Sequence, residues 1–106
     1  MRNFIKPMSH LIGISTGWGN GYVVIPKGHP LHGKGYDSLN VNIHGGLTYA
    51  NSVDELDWDE FTKGDKGGWV VGFDCAHYGD TSGNCPESFV MEESMSLKNQ
   101  LEKLES

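Results

Sequence analysis

Two short stretches carry most of the chain's reactive side chains. GHPLHGKGYDSLNVNIHGGLTYA, residues 28–50, and GWVVGFDCAHYGD, residues 68–80, together hold His29, His32, His44, His77, Cys75, Asp37, Asp74 and Asp80. Histidine beside aspartate suits both acid–base chemistry and ligand recognition. The carboxylate fixes the imidazole tautomer and leaves the other ring nitrogen to address a partner.

Several uses of these residues compete. Cys75 with His77, His44 and either His29 or His32 offers the sulfur and nitrogen donors of a tetrahedral zinc site. The Cys-x-His spacing of DCAH is unlike the standard zinc frameworks, so the reading assigns no metal and no cofactor. Cys75 then reads as a small buried residue, and the histidines as braces for glycine turns. Alternatively, Cys75 is a nucleophile activated by His44 or His77, with Asp74 or Asp80 orienting the imidazole. Against that, Cys75 follows a strand in an acidic half of the chain, whereas catalytic thiolates occupy electropositive places. A thiol-free hydrolase would use His44, Asp74 and His77 as its acid and base.

The favoured reading is a non-catalytic pocket for a small nucleotide-like ligand. Glycine turns expose backbone N–H groups that form anion-binding nests, and Lys34 lies in the same loop. Tyr36 offers a flat face to a base, while His29, Asn42, His44, Asp74, His77 and Asp80 can hydrogen-bond sugar hydroxyls and ring edges. If VNIH and WVVGFD are neighbouring strands, their polar sides bring Asn42 and His44 to Asp74.

The segments GYVVIPKGHPLHGKGYD, VNIHGGLTYA, WVVGFDCAHYGD and VMEESMSLKNQL resemble, in wording and order, a family of small bacteriophage and prophage proteins. The likeness runs from Gly21 to Leu101 and departs before Gly21, at GISTGWGNG. It implies a phage context without an assigned reaction. Joined to the pocket chemistry, it implies a counter-defence protein that sequesters a nucleotide-derived host immune signal in the bacterial cytoplasm. An adaptor that inhibits a host protein is a further alternative, with the acidic SVDELDWDEF segment and the C-terminal helix as its surfaces.

Composition bounds these readings. At 106 residues the chain is one domain with a thin core, and 15 glycines place many positions in turns, so self-association into a homo-oligomer is expected. The net charge is −6, with residues 1–53 carrying four Lys/Arg and one acid, and residues 54–106 four Lys and thirteen acids. Such a surface does not suit duplex nucleic acid. No run approaches a membrane span, and MRNFIKPMSHLIGISTG is broken by Pro7 and His10 and does not read as a signal peptide. The two cysteines, Cys75 and Cys85, are then expected to be reduced thiols.

The elements that must position these residues follow from pattern. GYVVIP reads as a strand closed by Pro26, and VNIH alternates as a second, with His44 pointing away from the apolar face. SVDELDWDEF reads as a short helix, with Ser52 and Glu55 as a capping box. WVVGFD is the clearest strand, and Gly72 within it implies that something packs closely on its backbone. Pro86 starts a terminal helix over residues 86–104 with Val90, Ser94, Leu97, Leu101 and Leu104 on one stripe and Met91 beside it. The fold class is α+β: a small antiparallel sheet packed by a C-terminal helix. Residues 1–106 form a single domain, with a variable segment at 1–20, sheet and motif loops at 21–84, and the helix.

Overall fold

The structure, a computed structural model, describes residues 1–7, 17–75 and 83–104. Four strands, β1 (Arg2–Pro7), β2 (Gly19–Ile25), β3 (Tyr49–Ser52) and β4 (Trp69–Asp74), form one antiparallel sheet in the order β1-β2-β4-β3. The helix α1 (Glu87–Leu104) packs across one face, so the α+β expectation holds.

The two central strands are apolar on both sides because both faces of the sheet are covered. Val23 and Ile25 of β2 and Val71 and Phe73 of β4 face α1, where Val90, Leu97 and Leu101 meet them. Tyr22, Val24 and Val70 face the other way, into a cluster with Phe4 of β1 and Val53. Leu56, Trp58 and Phe61, from the chain between β3 and β4, close over that second face. Trp58 stacks on Phe61 with ring centroids 5.4 Å apart and on Tyr49 at 5.7 Å.

Two glycine–aromatic pairs let the layers close. Tyr22 lies opposite Gly72 in the β2–β4 register, and Gly21 lies opposite Phe73. A Cβ on Gly72 would stand 2.3 Å from the Tyr22 ring, and one on Gly21 would stand 2.5 Å from the Phe73 ring. Each ring therefore fills the space its partner's side chain would need, one on each face, as aromatic side chains cover strand glycines elsewhere. The close contact expected at Gly72 is this ring.

On α1, the buried residues Val90, Ser94, Leu97 and Leu101 recur at helical spacing, as the stripe requires, whereas Leu104 is exposed. Ser94 satisfies its buried hydroxyl by donating to the Met91 carbonyl at 2.8 Å and accepting from Asn3 Nδ2 at 3.1 Å. Among the described residues, no helix is long and apolar enough to cross a membrane.

Three expected elements differ. The N-terminal segment, placed outside the sheet by its sequence, supplies edge strand β1, whose Phe4 faces one layer and Ile5 the other. VNIH is not a strand; the third strand is Tyr49–Ser52. SVDELDWDEF contributes Ser52 to β3 and then a single 3-10 turn, Val53–Glu55, without a side-chain cap at Ser52. A reciprocal cap forms instead at Thr62–Asp65, where Thr62 N–H donates to Asp65 Oδ2 at 2.8 Å and Asp65 N–H donates to the Thr62 carbonyl at 3.0 Å. Burial of Leu56, Trp58 and Phe61 on the sheet, which regular helix spacing would not satisfy, explains the irregular path.

Candidate metal centre

Cys75 directly follows β4. It belongs to the core beneath α1 together with Val71 and Phe73. Cys85 stands two residues before α1 begins, and both cysteines are buried. The chain entering β2 runs against both. Gly17 N–H donates to the Cys75 carbonyl at 2.7 Å, and Trp18 N–H donates to the Cys85 carbonyl at 2.8 Å. A Cβ on Gly17 would lie 2.5 Å from Cys75 Cβ and 2.6 Å from Cys85 Cβ. Only a residue without a side chain fits there, and its absence of bulk keeps the two cysteines on one small volume.

His44 arrives from the segment between β2 and β3. Ile43 is buried in the same core, and Gly45 and Gly46, at φ +69 and +77, turn the chain straight after the histidine. Side chains rarely adopt that left-handed backbone, so HGG at this point is a steric requirement. The imidazole sits edge-on to Phe89, with ring centroids 5.3 Å apart, and its Nε2 is 3.7 Å from Cys85 Sγ. One ring nitrogen of His44, Cys75 Sγ and Cys85 Sγ all lie within 4.8 Å of one another.

The 3.7 Å between His44 Nε2 and Cys85 Sγ is what one tetrahedral ion would impose on two of its donors, and Cys75 Sγ stands close enough to join them. With Zn–S near 2.3 Å and Zn–N of ~2.0–2.1 Å, two donors on the same zinc stand about 3.5–3.8 Å apart. Electrostatics point the same way: two thiolates and a neutral imidazole cancel the charge of a divalent cation, so the loaded centre tolerates burial that bare thiolates do not.

The helix holds the His44 segment by its backbone. Gln100 accepts from Asn42 N–H through Oε1 at 2.6 Å and donates through Nε2 to the Asn42 carbonyl at 2.9 Å, so one side chain takes the place of a neighbouring strand. Ser96 Oγ, one turn earlier, lies 3.0 Å from the same Nε2. Glu93 Oε1 accepts the His44 N–H at 2.8 Å.

The expected pocket is divided by the sheet. Asp74 shares the side of Val70 and Gly72, away from α1, so His44 and Asp74 stand on opposite faces. Its charge is felt there by Tyr22: burial first, then Tyr49, Asp74 and Glu60, push the phenol above its ordinary range against one hydrogen bond with Asn20. The shared cavity expected for Asn42, His44 and Asp74 therefore does not form, because VNIH is not a strand of the sheet. His44 also turns inward, contrary to expectation.

The other expected residues are placed as follows. Asn42 is exposed and clasped by Gln100. Lys34 and Tyr36 are exposed, and the Lys34 carbonyl accepts the Trp69 indole N–H at 2.8 Å. His29 Nδ1 accepts from Leu31 N–H at 3.1 Å. His32, weighed as a zinc ligand, instead places Nε2 2.9 Å from the Gly67 carbonyl and its ring against Trp69, the brace role read for the histidines. His77 and Asp80 lie outside the described residues. Sequence reasoning weighed Cys75 and His44 as ligands but missed Cys85, Glu93, Gln100 and Gly17. The available signal for Cys85 was that the chain's only two cysteines lie ten positions apart.

No family model, curated protein or solved structure matches the chain.

Proposed function

We propose that this protein is a small metal-binding domain whose centre takes Zn2+ through Cys75, Cys85 and His44. The observation that carries the reading is the convergence of the only two cysteines and one imidazole from three separate segments within 4.8 Å. The role is structural: both sulfurs are buried, and the ion would tie the end of β4 to the approach of α1 and to the HGG turn. Such binding energy adds directly to folding, since the unfolded chain holds no assembled site. Elemental analysis of protein purified under reducing conditions should give one zinc per chain, and Co2+ replacement should give thiolate-to-metal charge transfer with tetrahedral d–d bands. Cys85→Ser and His44→Ala should lose both signals. Failure of the reduced wild type to bind stoichiometric Zn2+ or Co2+, or metal-independent rapid alkylation of Cys85 marking a thiol nucleophile, would overturn the reading.

Sequestration of a nucleotide-like ligand is a second proposal. It rests on the exposed loop in which Lys34 follows the turn glycines Gly28 and Gly33 and Tyr36 opens the 3-10 turn Tyr36–Ser38, not on a His44–Asp74 cavity. Equilibrium dialysis against cyclic nucleotides and ADP-ribose derivatives should retain one of them intact, and retention that survives Lys34→Ala with Tyr36→Ala removes this loop as the site.

A further inference from the structure

The metal centre has one ligand that no neighbouring strand or helix anchors. Cys75 is anchored by β4 and Cys85 by the start of α1, but residues 41–44 belong to neither strand nor helix. A ligand on such a segment would lose much of its affinity to chain motion unless its backbone were fixed from outside. The backbone bonds made with Gln100 and Glu93 come from positions seven apart on α1, two helical turns, and they fall on Asn42 and on His44, where the chain enters the HGG turn. Gln100 uses its amide oxygen and one N–H on the Asn42 backbone, and its Nε2 also donates to Ser96 Oγ, which fixes the amide from its own helix.

We infer that α1 sets the metal affinity of the centre through Gln100 and Glu93, positioning residues that hold the Asn42–His44 backbone so that the imidazole is presented to the two sulfurs. This rests on the metal-binding reading and adds to it that the helix and the ion are thermodynamically linked. An ion bound at His44 stabilises helix docking, and a docked helix tightens the ion by the same factor. Neither side chain touches the ion, so the share of the linkage that Gln100 and Glu93 carry passes through their backbone hydrogen bonds.

The test is Zn2+ affinity measured by competition with a chromophoric chelator in the full chain, for wild type, Glu93→Ala, Glu93→Gln, Gln100→Ala and the exposed neighbour Glu92→Ala. Outer partners of metal ligands are typically worth about 10–100-fold in affinity. Gln100→Ala and Glu93→Ala are each expected to weaken Zn2+ within that range, with the Co2+ d–d bands shifted. Glu93→Gln should restore most of the affinity, because its amide oxygen can accept the same N–H, and Glu92→Ala should match wild type. Tight Zn2+ binding by wild type that both alanine variants keep within twofold would overturn the inference and leave the metal centre standing. Alanine variants that melt earlier yet bind Zn2+ unchanged below their transition overturn it equally, as a merely structural role. Wild type that binds no Zn2+ overturns both, and that result is read in the first arm alone.

Discussion

Asp65 is a buried carboxylate that accepts hydrogen bonds from both Arg2 and Thr62. Arg2 reaches it with two guanidinium nitrogens, one of them Nε at 3.2 Å, and the same Arg2 donates to the Glu60 carbonyl at 2.9 Å. Burial alone would raise the Asp65 pKa, but the bonds from Arg2 and from Thr62 outweigh it and hold the carboxyl below its usual range. A depressed folded-state value means that the stabilisation is fully present above the unfolded carboxylate pKa, ~3.9, and is lost as pH falls through the folded value. Asp65→Asn should therefore destabilise the protein at neutral pH by about 1–3 kcal/mol, the worth of hydrogen bonds to a charged group. It should also flatten the acid limb of the stability profile. Thermal melts from pH 7 to pH 3 measure this, and a variant whose curve runs parallel to wild type throughout would refute it.

At the scale of elements, legibility followed periodicity. The stripe from Val90 to Leu101 was readable because burial repeats at the helix period, and WVVGFD because a short β-branched and aromatic run reads as a strand even where both its faces are covered. β1 was hidden because its two faces serve different layers: Ile5 goes to the α1 core, while Phe4 goes to the aromatic one, with Arg2 and Lys6 anchoring the loop beyond it. A strand apolar on both sides and charged at both ends shows no alternation. VNIH alternates convincingly, yet Gln100 supplies the hydrogen bonds that a strand partner would have given, and nothing in local pattern announces a side chain 58 positions away. The candidate site failed for the same reason. His44 and Cys75 were visible as reactive residues, but their partner depended on which face of the sheet each occupied. One misplaced strand exchanged Asp74 for Cys85.

For the whole molecule, the central pairing joins β2 to β4 across residues 26–68, and His44 lies inside that connection. Pairings so distant along the chain fold slowly, because a long loop must close before any contact rewards it. Cys75 and Cys85, by contrast, are close enough in sequence for a disordered chain to hold an ion loosely between them. The proposed donor set is complete only where β4 has docked and α1 has clasped Asn42, which predicts its assembly on the native side of the folding barrier. A contact absent at the barrier top acts on the rate of leaving the folded state. In stopped-flow denaturant jumps, saturating Zn2+ should slow unfolding by roughly tenfold or more while changing the refolding rate by less than about threefold. A refolding rate accelerated in proportion to stability would place the ion at the nucleus instead. On the metal-binding reading the centre is a latch that closes last, and the lifetime of the folded chain, rather than its speed of arrival, is the quantity it would govern.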